Sequence, residues 1–477
     1  MSENEIAKRV ESCLSIEWPV LPETSAHVEA LGASAGMAMR DIGPELLTDP
    51  GLALKLIETA NGQRQRHFHE AIVDLDKSVR LLGVNRVASL ARELPQLADP
   101  LPTHVQTQIR RLYARSWLTA LICADWASRR RDIAPQEVAL AGLFYHVGGI
   151  TLWLERPEQM MQLEALRQLP GTVPEEAEYV VLGFNIEHFG HALARSRGLP
   201  QLAVESMAPR YAQEPRTLGV MLAAQVAYQA THSWAAPHAR VHLEMARRYL
   251  DMAWTDFVEL VNGVLERFNQ RGGYYGLRPL APLPVEWDAT TKRASAPAAL
   301  CLAPRSDRLG EAVALITRAA GKPAGLIEDA LGLMRDALGL NRLMFARQLD
   351  DGTLIPQALV GTEYEPDFNY LRFEADPRSL FSVLMRKPSA IRLDAQNVDK
   401  YWPHVPVTLR QLLEAREFMA MSIFVDGRPF GLLYADRRNP ACRIDARSFE
   451  TFKRLGNLMA RRLEQLPSGS APASAHS

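Results

Sequence analysis

The spacing of apolar residues changes once along this 477-residue chain, and that change limits its fold more than any single motif does. Up to residue 278, apolar side chains recur every three to four positions, the period of helices that bury one face. Beyond residue 308, alternating runs appear between turn signals, the period of half-buried strands. The segment between them, 279–308 (PLAPLPVEWDATTKRASAPAALCLAPRSDR), is rich in Pro, Ala and Ser and carries no sustained period. Its prolines remove backbone donors and fix φ, so it reads as a partly extended linker. A second stretch of the same kind, 467–477, reads as a disordered tail.

The first part reads as all-α. Asp49-Pro50 supplies an N-cap and a preorganised first residue for LALKLIETAN. Leu75–Leu82 is expected to end at a left-handed Gly83, with Asn85 capping the next helix. Val105 to Arg131 carries Val105, Ile109, Leu112 and Leu118 at helical spacing, and Pro135 opens a helix running to Gly148-Gly149. Val241 to Arg271 reads as one further long helix. After the linker, Ala324 to Leu340 reads as a helix. Two hairpins follow, one turning at Asp350-Asp351-Gly352 and one at Asp426-Gly427, and Asp445 caps a last amphipathic helix. Helices interleaved with hairpins describe an α+β domain with an antiparallel sheet.

Composition narrows the function. With 47% hydrophobic residues the chain can bury large cores. Its 54 Lys+Arg against 55 Asp+Glu give a net charge of −1, without the positive field that a nucleic-acid coat or a membrane-surface binder needs. No secretory signal opens the sequence, and the most apolar span, around Leu218 to Ala236, is broken by Gln225, Gln229 and His232. Cys13, Cys123, Cys301 and Cys442 form no CxxC pair and read as four isolated thiols, so a cytoplasmic location is expected. No phosphate-binding loop and no nucleophile elbow is present.

Five separated segments carry a family resemblance: WPVLPETSAHVEAL, ELLTDPGLALKLIETAN, SVRLLGVNRVASL, EVALAGLFYHVGG and VVLGFNIEHFGHALARSRGLPQLAVESM. In this order they resemble the HDOD domain, the HD-related output domain of bacterial signalling proteins, over about residues 15–215, with 216–278 as a helical extension. The resemblance implies an all-helical fold that acts by contacting other signalling proteins. HD hydrolases work through a His-Asp dyad and further His and Asp ligands holding one or two cations. Here the dyad reads His146-Val147, another expected ligand is Ile186, and the histidines often found at the domain's end are replaced around Ala208-Pro209. Val147 and Ile186 supply no donor, so no catalytic residue, metal or cofactor is assigned, and His146 reads as a structural residue. His188 and His191 share a helix face at a spacing of three. Either they hold a displaced metal as part of a phosphohydrolase, or one packs and the other is exposed. The helix expected to start at Asn85 offers a third reading, as a DNA reader, although Val87, Ala88, Leu90 and Ala91 leave much of it apolar.

Residues 309–466 resemble a GAF domain, most clearly in MSIFVDGRPFGLLYADRR. The resemblance implies a ligand held between the sheet and the segment 362–417, or dimerisation through the flanking helices. Tyr364, Phe368, Tyr370, Phe373, Tyr401 and Trp402 lie in that segment and either line such a pocket or fill a core. The chain thus reads as a non-catalytic bacterial signalling protein, an HDOD-like output module joined to a GAF-like sensory or dimerisation module. Its expected partners are other signalling proteins (a kinase, a response regulator or a cyclic-dinucleotide enzyme), a small molecule in the GAF-like part and a second copy of the chain, with no nucleic acid and no membrane.

Overall fold

The computed structural model describes residues 3–33, 46–64, 72–98, 100–168, 172, 174–234, 239–285, 301–320, 322–362, 365–413, 415–439 and 441–466. The chain forms two compact units. The helical unit comprises Ile6–Leu166 and Phe184–Ala296; the sheet unit comprises Pro297–Ser477 together with Arg167–Gly183 and Met1–Glu5.

The helices in chain order are α1 (Glu3–Cys13), α2 (Pro22–Ala33), α3 (Pro50–Arg64), α4 (Leu75–Leu82), α5 (Val84–Glu93), α6 (Thr103–Arg129), α7 (Pro135–Phe144), α8 (Val147–Glu155) and α9 (Pro157–Arg167). Then come α10 (Pro174–Leu182), α11 (Ile186–Ser196), α12 (Gln201–Glu205), α13 (Pro215–His232), α14 (Ala239–Tyr249) and α15 (Trp254–Asn269). Helix α6 is the centre of the helical unit and packs on α7, α13 and α15. Its apolar face buries Ile109, Tyr113, Trp117, Ile122 and Trp126.

Local sequence explains most of these elements and corrects three expectations. Asp49 caps α3 as expected, accepting from the Leu52 amide at 3.0 Å, and it also accepts from Leu21 at 2.7 Å. Gly83 does have a positive φ, but its ψ of 150° is not left-handed helix, and Gly83 itself stands at the N-terminus of α5. Asn85 is exposed on the first turn of that helix. The stretch expected as one helix to Gly148-Gly149 breaks at Tyr145-His146, and both glycines lie inside α8. They serve close packing: a Cβ on Gly148 would come within 2.6 Å of the Ile186 carbonyl and 3.0 Å of Gly190 backbone atoms. The long helix expected from Val241 is likewise two, α14 and α15, split at Asp251, whose φ is +52°.

Among the described residues, one stretch, Pro135–Glu155, is long and apolar enough by composition to cross a membrane; its most apolar window has mean hydropathy 1.3 and is 83% buried inside the fold. It lies upstream of the span that the sequence made most apolar.

The first part of the proline-rich segment runs extended along α15. Asn262 accepts from the Leu283 amide at 2.7 Å and donates to its carbonyl at 3.1 Å, and Asn269 does the same to Leu280 at 2.8 and 3.1 Å. Seven helical residues rise about 10.5 Å, close to the span of three extended residues, so two amides two turns apart meet the strap in register. Residues 286–300 lie outside the described residues.

In the sheet unit, α16 (Ser306–Arg318) and α17 (Pro323–Leu338) precede β1 (Arg342–Gln348) and β2 (Leu354–Val360). There follow α18 (Pro366–Asn369), α19 (Leu380–Leu384), β3 (Ala390–Leu393), α20 (Val398–Tyr401), α21 (Val407–Leu412), β4 (Phe418–Val425), β5 (Arg428–Asp436) and α22 (Ala446–Gln465). The strands form one antiparallel sheet in the order β2-β1-β5-β4-β3. One face packs Leu343, Phe345, Met419 and Leu433 against α16, α17 and α22; the other packs Met344, Phe418 and Tyr434 against 368–413. Gly339 closes α17 in left-handed geometry, and Asp445 caps α22 by accepting from Ser448 at 2.7 Å. The four-residue strand β3 was not expected.

Two of the four cysteines expected as isolated thiols are bonded: Cys301 and Cys442 form a disulfide with a Cα–Cα distance of 5.7 Å, while Cys13 and Cys123 are free and buried. A separation of 141 residues leaves no local pattern to read, and only folding brings the pair within bridging range.

Candidate functional site

His146 sits in the break between α7 and α8, with its Nε2 3.5 Å from the Thr119 hydroxyl on α6. Burial, followed by the nearby Arg115 charge, drives its pKa well below the ordinary histidine value, so the ring is neutral. Val147 is fully buried beside it. Ile186 opens α11, and its carbonyl lies against Gly148. Neither of these expected ligand positions offers a donor atom.

Asn185 caps α11, accepting from the His188 amide at 3.0 Å. This orients the helix so that Glu187 turns inward, where its carboxylate accepts from the buried Tyr145 hydroxyl at 2.8 Å. His188 is exposed and His191 is half-buried. Burial, then Arg210 and His188, hold the His191 pKa down at about 4. The two imidazoles thus stand next to each other, while the adjacent carboxylate is engaged by a tyrosine. Among the described residues, no three His, Cys, Asp or Glu side chains are grouped to hold a metal ion. His67 and His69, a second histidine pair in the sequence, lie outside the described residues. On α5, Arg86 is bound within its own helix, to Glu93 at 2.6 Å and Ser89 at 3.2 Å.

In the sheet unit, Phe368 and Phe373 are buried in an aromatic core with Phe381, Phe418 and Tyr434, at ring separations of 5.1 Å (Phe373–Phe381) and 5.9 Å (Phe368–Tyr434). Tyr401 and Trp402 are half-buried at its margin, Trp402 under the Arg416 guanidinium. Tyr370 is exposed, and Tyr364 lies outside the described residues. The structure therefore brings Phe368 and Phe373 together and sets Tyr370 apart.

Sequence reasoning missed the most polar interior of this unit. Arg342 on β1 donates its Nε to both Asp436 oxygens at 3.0 Å and its Nη1 to Glu365 at 3.3 Å. The Tyr434 hydroxyl donates to Asp436 at 2.5 Å. Arg438 pairs with Glu365 at 3.0 Å and with Glu175 at 3.3 Å, lies 3.7 Å from Glu176, and donates to the Gly361 carbonyl at 2.5 Å. Asn341 donates to Glu176 at 2.5 Å. Desolvation works against both charged guanidiniums, but the carboxylates outweigh it: Asp436 and Glu365 raise the Arg342 pKa, and Glu175, Glu365 and Glu176 raise that of Arg438. The same two arginines hold Glu365 below the ordinary glutamate value despite its burial.

Glu175 and Glu176 belong to α10, which is part of the sheet unit although the chain on either side of it belongs to the helical unit. The helix is held by further side chains of its unit. The Arg335 guanidinium lies 4.7 Å from the Tyr179 ring centroid, and the buried Glu178 accepts from Arg167 at 2.5 Å. An acidic helix start followed by Tyr179 was the available signal. It is local, whereas Arg438 and Arg335, which answer Glu175 and Tyr179, lie more than 150 positions away.

Comparison with curated proteins finds no match. Among solved structures, the chain is similar to the MmoQ response regulator from Methylococcus capsulatus, at 18% identity and TM-score 0.40, covering 52% of this chain and 99% of that one. It is also similar to a virulence factor from Campylobacter jejuni, at 15% identity and TM-score 0.42, over 58% of this chain and 99% of that one. The GAF domain of an Acinetobacter phosphoenolpyruvate-protein phosphotransferase is similar at 11% identity and TM-score 0.28, over 33% of this chain and 92% of that one. The HDOD domain family matches residues 18–213, a range that includes α10, His146 and the His188–His191 pair. Residues 18–213 of this chain are an HDOD domain.

Proposed function

We propose that this is a non-catalytic bacterial signal-transduction protein in which the HDOD domain presents an interaction surface and the sheet unit, resembling GAF domains, senses a ligand or dimerises. The observation that carries this reading is the membership of α10. It lies within the HDOD match at 18–213, yet it is part of the sheet unit, where Arg438 holds its buried carboxylates. A segment covalently embedded in the output domain and gripped by the other unit is a ready coupling element. A signal that weakens the grip changes what the HDOD domain can present, provided that it binds the gripped and released arrangements unequally. The partners in this reading are a kinase, a response regulator or a cyclic-dinucleotide enzyme, and its setting is the cytoplasm. The functional division is 15–215 with a helical extension at 216–278, a linker at 279–308 and the sensory part at 309–466.

The absence of donor atoms at Val147 and Ile186, with Glu187 committed to Tyr145, supports the non-catalytic half. Metal analysis of the purified protein, with a phosphodiester hydrolysis assay, tests it. Less than about 0.1 equivalent of Fe, Mn or Zn and no turnover are expected; near one equivalent with turnover, both lost in His188→Ala/His191→Ala, would establish a displaced hydrolase site instead.

A further inference from the structure

A cavity of about 170 Å³ lies in the helical unit among α6, α7, α13 and α14. Its walls are apolar where Cys123, Ala127, Val138 and Pro215 face it. Trp126 and Tyr249 also line it, with ring centroids 6.0 Å apart. Gly219 makes room for the tyrosine, since a Cβ there would come within 2.4 Å of the Tyr249 hydroxyl.

The polar groups at this cavity are unbalanced in one direction. The Trp126 indole is only 2% exposed, and its Nε1–H is buried without an acceptor among the described residues. Arg130 lies 4.4 Å over the Tyr249 ring and donates to the Tyr249 carbonyl at 2.5 Å, with no carboxylate paired to it among the described residues. The one carboxylate lining the cavity, Asp132, is already occupied: it accepts from Arg216 at 2.9 and 3.2 Å and from the Ala134 amide at 2.8 Å. Arg216 is in turn tied to Glu137 at 2.7 Å. What remains is a buried donor and, at the cavity's exposed margin, the Arg130 guanidinium, which has no carboxylate partner among the described residues.

Buried donors are ordinarily satisfied, and one left over in a cavity wall calls for an acceptor that the described residues do not supply. An apolar cavity of about 150 Å³ holds a benzene ring, so this one has room for a single ring or a branched alkyl body. We infer that this cavity binds a small carboxylic acid with an aromatic or branched apolar body, its carboxylate accepting from Trp126 Nε1 and Arg130. Its lining includes neither member of the His188–His191 pair and no residue of the aromatic core of the sheet unit.

The test uses the full chain, labelled with ¹⁵N at tryptophan, with benzoate as probe and benzamide as its neutral isostere. Trp126→Phe identifies the Trp126 indole resonance and removes the unpaired donor while keeping an aromatic ring, and Arg130→Gln changes an exposed side chain. Benzoate should move the Trp126 indole N–H resonance and bind about tenfold or more tightly than benzamide, the usual effect of losing one charged hydrogen bond. Arg130→Gln should abolish that preference, and Trp126→Phe should weaken benzoate binding. An indole resonance unmoved by benzoate at about 10 mM, a concentration that nearly saturates a site of about 1 mM affinity, or equal binding of the two probes, would overturn the inference. So would a folded Arg130→Gln variant that keeps the preference for benzoate.

Discussion

Asp49 shows how much one side chain carries in the helical unit. Its oxygens satisfy the amides of Leu52 and Leu21, and burial pushes its pKa up to about 6 against those stabilising hydrogen bonds. The folded state therefore holds this proton more tightly than the unfolded chain, whose aspartates titrate near about 3.9. The resulting stability is complete below pH ~4 and is lost as pH rises through ~6. Asp49→Asn keeps an acceptor and removes the charge. Relative to wild type, it should gain on the order of 2–3 kcal/mol between pH 4 and pH 7, read from the melting of the helical unit. A difference that is flat with pH would contradict this. The cap itself was legible, because Asp-Pro before an apolar run is a local signal. The bond to Leu21 was not, because it joins two elements 28 positions apart.

At the scale of elements, periodicity located nearly every long helix and both hairpins, and it failed where a residue type has two uses. Gly148 and Gly149 read as a helix end because glycine often ends helices; here Gly148 lets α8 and α11 approach backbone to backbone. Gly148→Ala should accordingly cost about 1–3 kcal/mol in the helical unit, because the added Cβ meets backbone atoms that cannot rotate away. A thermal melt showing an unchanged or stabilised unit would rule out that close approach. The break between α14 and α15 falls at Asp251, whose residue type tolerates a positive φ better than most but equally occupies helices, so periodicity runs through it. Strand β3 escaped notice because four residues, with Arg392 among them, are too few to show alternation. The aromatic residues of the segment 362–417 posed a choice between pocket and core that periodicity does not address. The structure buries Phe368 and Phe373 among other rings and leaves Tyr370 exposed.

At the scale of the whole molecule, what the sequence hid was long-range pairing. The Cys301–Cys442 bond joins residues 141 apart, and it gives a direct expectation. Denatured without reductant, the protein should titrate two thiols, those of Cys13 and Cys123, and with reductant four. Four without reductant would show that the bridge does not form. The buried assembly around Arg438 is the second such feature, and the one on which the functional reading rests. Removing one partner of a buried ion pair leaves the other charge uncompensated, at a cost of about 3–5 kcal/mol. Arg438→Met should thus release α10 by stranding Glu175 and Glu176, and adding Glu175→Gln and Glu176→Gln should recover part of the loss. The most direct measurement is hydrogen exchange of the amides in 174–182, in wild type and in Arg438→Met. If the sheet unit grips this segment of the HDOD domain, those amides exchange at least about tenfold faster in the variant, matching a loss of 1.4 kcal/mol or more, while amides of α3 and α6 are unchanged. Equal protection of 174–182 in the two proteins would contradict the grip, and with it the proposed coupling between the sheet unit and the HDOD domain.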